Sequence, residues 1–157
     1  MDYDYQILKL TDAFYRDYPQ QEYPEMLLKE TRAYNCLLID LHYDYYICIP
    51  FRTEMHHTNG YRFKSSERSR SHQSGLDYSK IAIIQNGNYL GTSDAVVDRD
   101  EYLETISNMD KIVKGVDKYI KDYICHKAGT TVLNEKEFER KYRYATLKYF
   151  HKELSIK

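Results

Sequence analysis

The side chains able to do chemistry crowd into one stretch of the chain. Residues 50–80 read PFRTEMHHTNGYRFKSSERSRSHQSGLDYSK. A metal site there would draw on His56 and His57 with Glu54 or His72. Adjacent histidines on an extended segment point to opposite sides, so both rarely reach one ion. There is no HExxH, no cysteine pair and no cluster of carboxylates nearby, and no metal is expected. Nucleophilic catalysis fares no better: no GxSxG elbow occurs, and Cys48 falls in the middle of a strand-like run, where a packed thiol is expected. The glycine spacings of a phosphate loop and of a dinucleotide fold are both missing.

Phosphodiester chemistry on RNA needs fewer parts. The 2′-hydroxyl beside the scissile phosphate is itself the nucleophile, held close by the substrate's own geometry. The protein must supply a base for the 2′ proton, an acid for the departing 5′ oxygen, and cations or hydroxyls to steady the charge on the phosphorane. Arginine, threonine, histidine and lysine fill those roles, and all occur between Arg52 and Lys80. Lys64, Arg68 and Arg70 would hold flanking phosphates, and Tyr61 or Tyr78 would stack on bases. A basic, serine-rich loop is also the ordinary composition of a binding surface without catalysis.

The remaining sequence must position this segment. The chain has 157 residues, 42% of them hydrophobic and 30% charged, with a formal net charge of −1. One domain spanning residues 1–157, with a core of ordinary size, is expected. The apolar runs fall far short of the roughly 20 residues that span a bilayer, and the opening MDYDYQ does not read as a leader, so no membrane partner and a cytoplasmic location are expected. Three cysteines without a close pair rule out a disulfide framework or a CxxC zinc site as the organising feature. The small net charge conceals an uneven distribution. Residues 1–30 carry 3 basic and 7 acidic groups, residues 52–80 carry 6 and 3, and residues 111–157 carry 12 and 6. That asymmetry points to a polyanion as partner. The 18 tyrosines against no tryptophan suit either half-buried strand positions or base stacking.

Residues 5–10 read as an opening strand, and Thr11 or Asp12 caps a short helix that ends by Pro19. Residues 34–39 and 45–51 form a hairpin-like pair of strands, with Pro50 marking an edge or bulge. The second strand delivers Arg52 and Thr53 at its end. Residues 60–64 form a short strand with Tyr61 and Phe63 on one face. Residues 65–79, with Leu76 as their one strong aliphatic, are expected outside the core, while residues 81–84 form a buried strand before the turn Asn86-Gly87-Asn88. Asp98 and Glu101 open a helix whose apolar stripe runs from Tyr102 to Ile124, with a break near Ser107-Asn108. Gly129 ends it, and Asn134 with Glu137 opens another. The fold class is α+β: a mostly antiparallel sheet flanked by helices.

Arg32-x-Tyr34, then Ile49-Pro50-Phe51-Arg52-Thr53 with His57 four residues on, then Ser74-Gly-Leu-Asp-Tyr-Ser-Lys80 leading into Ile81-Ala-Ile-Ile84, together resemble the toxins of type III toxin–antitoxin systems, in particular the TenpN and CptN group, with ToxN more distant. The resemblance implies a strongly twisted, mostly antiparallel sheet like that of the Kid and MazF toxins. It implies a metal-independent, cofactor-free endoribonuclease that leaves a 2′,3′-cyclic phosphate on cellular RNA. Its partner would be a small structured RNA antitoxin, a pseudoknot cut from a repeat transcript, bound in a closed protein–RNA assembly. Thr53 matches a hydroxyl of the Thr-Ser-x-Lys motif of ToxN-like toxins, but no lysine follows at the matching distance. Arg52 and Lys80 are then the favoured cations over Lys64, His57 the general base or acid, and Thr53 a phosphate ligand. Asp77 would orient a neighbour, and Arg32, Tyr34, Asp77, Tyr78 and Ser79 join Tyr61, Lys64, Arg68 and Arg70 as the RNA-contacting set. A non-catalytic RNA-binding protein and a protein-interaction domain are the competing readings of the same residues.

Overall fold

β-Branched, leucine and tyrosine residues gather in the first third of the chain, and each run becomes a strand. In the computed structural model, which describes residues 2–27, 34–130 and 133–157, β1 is Asp4–Lys9, β2 is Asn35–Asp40 and β3 is Tyr46–Arg52. A short helix, α1 (Asp12–Asp17), follows β1. Then come β4 (Gly60–Arg62), α2 (Glu67–His72), β5 (Gly75–Asp77), a 3-10 turn (Tyr78–Lys80) and β6 (Ala82–Ile84). The last third is helical: α3 (Arg99–Ser107), α4 (Met109–Lys127) and α5 (Glu135–Tyr142), closed by a 3-10 turn, Thr146–Tyr149. The α+β architecture is as expected.

The six strands form one sheet in the order β1-β2-β3-β5-β4, with β6 also paired to β3, and all the pairings are antiparallel. The β2–β3 hairpin sets Leu38 opposite Cys48. On its other side β3 changes partner part-way along. Tyr46, Ile47 and Cys48 face Ile84, Ile83 and Ala82 of β6, whereas Phe51 and Arg52 face Leu76 and Gly75 of β5. Pro50, which has no N–H to donate, falls in the gap between these two partners. It therefore marks neither an edge nor a bulge: β3 is central, and the proline sits where the ladder is interrupted anyway. The 3-10 turn Tyr78–Lys80 joins β5 to β6 across that gap.

The expectation that residues 65–79 lie outside the core does not hold for the second half of the stretch. Residues 74–79 are all buried, and β5 runs between β3 and β4. Their polar groups are buried because each has a partner inside the protein, which hydropathy alone cannot register. The helical stripe is corrected at its start for the same reason. Along α4 the residues Met109, Ile112, Val113, Val116, Tyr119, Ile120 and Tyr123 are buried as the period requires. In α3, however, Tyr102 and Leu103 are 45% and 48% exposed while Glu101 and Thr105 are buried. That helix turns its carboxylates inward because residues 64–74 present donors to them. The tyrosines mostly serve the core: Tyr18 stacks on Phe14 at 4.7 Å, and Tyr119, Tyr123 and Tyr142 pack together. Among the described residues, no helix is long and apolar enough to cross a membrane.

Candidate active site at Asp77

β5 ends at Asp77, whose carboxylate caps the turn that follows. Oδ1 accepts the Ser79 backbone N–H at 2.9 Å and the Ser79 hydroxyl at 2.6 Å. Arg52 pairs with Gly75 across the ladder, so Arg52 and Asp77 lie two residues apart on one face of the sheet. The Arg52 Nη1 donates to Asp77 Oδ2 at 2.7 Å. His57 arrives from the loop between β3 and β4. Glu54 adopts a positive φ of 55°, its N–H bonds to His72 O at 2.6 Å, and the fully buried Met55 anchors the loop. His57 Nε2 then lies 3.1 Å from Asp77 Oδ2, while its Nδ1 accepts the Asn59 backbone N–H at 3.1 Å. Because a backbone N–H can only donate, Nδ1 is the acceptor and the ring proton sits on Nε2, pointing at Asp77.

Asp77 has no exposed side-chain surface, whereas those of Arg52 and His57 are 28% and 35% exposed. Burial alone would raise the carboxyl's pKa. The hydrogen bonds from His57, Ser79 and Arg52 outweigh it and hold Asp77 below its ordinary value. The result is a buried anion holding one guanidinium and one imidazole at the surface. This is not a serine nucleophile's relay. The Ser79 hydroxyl donates to Asp77 and lies 3.4 Å from the same His57 nitrogen that faces the carboxylate, so no free imidazole lone pair addresses it.

Family models, curated proteins and solved structures yield no match to this chain.

The expected site residues do not all converge. Arg52, His57, Asp77 and Ser79 come together, with Asp77 and Ser79 buried beneath the other two. Thr53 does not join them: with Phe51, Tyr34, Lys9 and Arg68 it lines a separate cleft of about 250 Å³. Lys80 is spent elsewhere, its Nζ donating to Glu25 Oε1 at 3.2 Å and to the Tyr144 carbonyl at 2.8 Å. Tyr61 and Tyr78 are buried in the core rather than exposed on the surface. The Tyr61 hydroxyl donates to Glu104 Oε2 at 2.7 Å and that of Tyr78 to the Ile112 carbonyl at 3.3 Å. Lys64, just past β4, and Arg70, on α2, are exposed, and Arg68 Nε donates to Glu101 Oε2 at 3.1 Å. Arg32 lies outside the described residues. His56 and His72 flank Glu54, at 3.3 and 3.1 Å from its two carboxylate oxygens.

Sequence reasoning missed three contributors. The backbone N–H of Asn59 fixes the His57 tautomer, and a backbone group leaves no mark in sequence. Glu101, read only as a cap partner, accepts the Ser66 and Ser74 hydroxyls at 2.8 and 2.7 Å in addition to Arg68. Glu104 accepts the Lys64 and Ser65 backbone N–H groups, each at 3.0 Å. Among the described residues one group, Asp4, Asp40 and His42, brings three metal-ligating atoms within 4.8 Å of one another. It lies at the opposite end of β2 from the Pro50–Arg52 end of β3.

Proposed function

We propose that this protein is a metal-independent endoribonuclease that cleaves RNA by attack of the 2′-hydroxyl, leaving a 2′,3′-cyclic phosphate and a free 5′-hydroxyl. The observation that supports this reading is the single buried carboxylate of Asp77, which aims the exposed groups of Arg52 and His57 from one point. Arg52 bonds Asp77 through Nη1, and its other nitrogens have no partner among the described residues. They are placed to accept the charge that grows on the phosphorane oxygens. His57 takes the 2′ proton at Nδ1 once the substrate hydroxyl replaces the Asn59 N–H there. The imidazolium that forms keeps its Nε2–H on the anionic Asp77, which stabilises it. The proton taken up at Nδ1 then passes to the departing 5′ oxygen as the P–O bond breaks, which regenerates the neutral imidazole with its Nε2–H on Asp77.

By the same reading, the chain is the toxin of a type III toxin–antitoxin pair with a sheet related to those of Kid and MazF. A small, structured, repeat-derived RNA would restrain it in a closed protein–RNA assembly. The occupied Nδ1 of His57 favours a second reading, a non-catalytic RNA-binding protein in which Arg52 and His57 only contact phosphate. One experiment separates them. Wild-type protein and the Arg52→Ala and His57→Gln variants are incubated with total RNA in EDTA, and fragment ends are analysed. Cyclic-phosphate ends from wild type alone support the nuclease. Intact RNA from folded wild-type protein overturns it.

A further inference from the structure

The cleft that holds Thr53 lies across the end of β3 from the Asp77 site: Phe51 and Thr53 line it, while Arg52 between them meets Asp77. Two cations stand in its wall. Lys9 has no side-chain partner among the described residues. Arg68 is held by its Nε alone, on a Glu101 that is 1% exposed and fixed by Ser66 and Ser74. This leaves Nη1 and Nη2 of Arg68 without a protein partner among the described residues, so a pre-aimed guanidinium faces the cleft much as Arg52 faces the other site. The cleft is not simply an anion hole, because Asp98 lines it together with the Glu101 that holds Arg68. One oxygen of Asp98 caps α3 by accepting the Glu101 N–H at 3.1 Å, and the other has no partner among the described residues. Two cations, a hydroxyl and a spare carboxylate oxygen, set against the valines at 96 and 97, suit a ligand with a phosphate at one end and a flat ring bearing N–H donors at the other.

We propose that this cleft is a nucleotide subsite. It takes one amino-bearing base on Asp98 and its phosphate on Lys9 and Arg68, from the RNA strand that passes round the end of β3 to Arg52. The identity of the strand rests on the RNA-cleaving reading above; the subsite itself does not require cleavage. The test uses short fluorescent homo-oligonucleotides carrying 2′-O-methyl groups, which cannot be cut, and measures binding to the full chain by anisotropy across a salt series. Lys9→Gln and Arg68→Gln each weaken binding about tenfold and reduce the salt slope by about one. Asp98→Asn, which keeps a capping side chain, narrows the preference for adenine, cytosine or guanine oligomers over uracil. Thermal melts establish that each variant is folded, and the Lys9 side chain is exposed and bonds no group among the described residues. Wild-type affinity in folded Lys9→Gln and Arg68→Gln overturns the subsite, even if the enzyme cleaves RNA. Weakened binding by these variants, with no cleavage by wild type, keeps the subsite and overturns the nuclease. Wild-type protein that binds none of the oligomers overturns the subsite outright.

Discussion

At the scale of single residues, Asp77 is the group on which the others depend. It accepts four hydrogen bonds, from Arg52, His57 and, twice, Ser79. Replacing it by asparagine keeps the shape but turns an oxygen into a donor that faces other donors. Asp77→Asn therefore costs about 3 kcal/mol, read from urea unfolding, and an unchanged midpoint would remove Asp77 from the centre of the site. The charge also sets a pH dependence. Asp77 is held below the ordinary carboxyl value of 3.8, so its contribution to stability is complete above about pH 5 and is lost as the pH falls through its folded value. Thermal melts from pH 6 to pH 2 should show wild type losing stability below about pH 4 more steeply than Asp77→Asn.

Elements hold the site through two devices. The first is close approach. Gly75 lies opposite Arg52, and a Cβ there would meet the Met55 methyl at 2.5 Å and the Tyr61 carbonyl at 2.6 Å. A carbonyl in a strand ladder cannot retreat, so Gly75→Ala separates β4 from β5 or displaces Met55, at about 1–3 kcal/mol. Because Met55 anchors the His57 loop, His57 shifts with it, and the chemical shifts of the His57 ring are the readout. The second device is α3. Glu101 and Glu104 bond to residues 61–74 through side chains and backbone alike, so the basic loop is stitched to a helix distant in sequence. Glu101→Ala strands two buried serine hydroxyls and costs about 3 kcal/mol. Hydrogen exchange in residues 64–74 should rise selectively, with β1–β3 protected as in wild type. Uniform loss of protection would mean that Glu101 supports the whole core.

Across the whole molecule, the C-terminal segment closes over the turn that carries Ser79 and Lys80. Thr146 Oγ1 donates to the Ile81 carbonyl at 2.5 Å, Asn59 Nδ2 to the Lys141 carbonyl at 3.3 Å, and Lys80 Nζ to the Tyr144 carbonyl. Phe150 and Leu147 are fully buried beneath it. Lys80 is thus a clamp between the ends of the chain, joining Glu25 to Tyr144. Lys80→Ala should lower the melting temperature by several degrees, corresponding to about 1–2 kcal/mol. Under the nuclease reading, it should leave the cleavage rate of the folded protein within a few-fold of wild type. A rate loss as large as that of Arg52→Ala would return Lys80 to the reacting centre.

Local chemistry was enough to read much of the fold. Periodicity of two and runs of β-forming residues placed β1, the β2–β3 hairpin and β6, and the caps at Asp98 and Asn134 opened α3 and α5, where each side chain accepts the N–H three residues on. These features depend on neighbours within a few positions, so sequence alone carries them. Arg52 and His57 were also legible, as titratable or charged groups at a strand end and in the loop after it. The burial of Asp77, Ser79 and Ser74 was not, because a polar group enters a core only when a distant partner satisfies it, and Arg52, His57 and Glu101 come from 20 to 27 positions away. For the same reason only the tertiary structure could send Thr53 to another cleft than Arg52 beside it, turn Tyr61 and Tyr78 inward, and commit Lys80 to Glu25 and Tyr144, each more than fifty positions away.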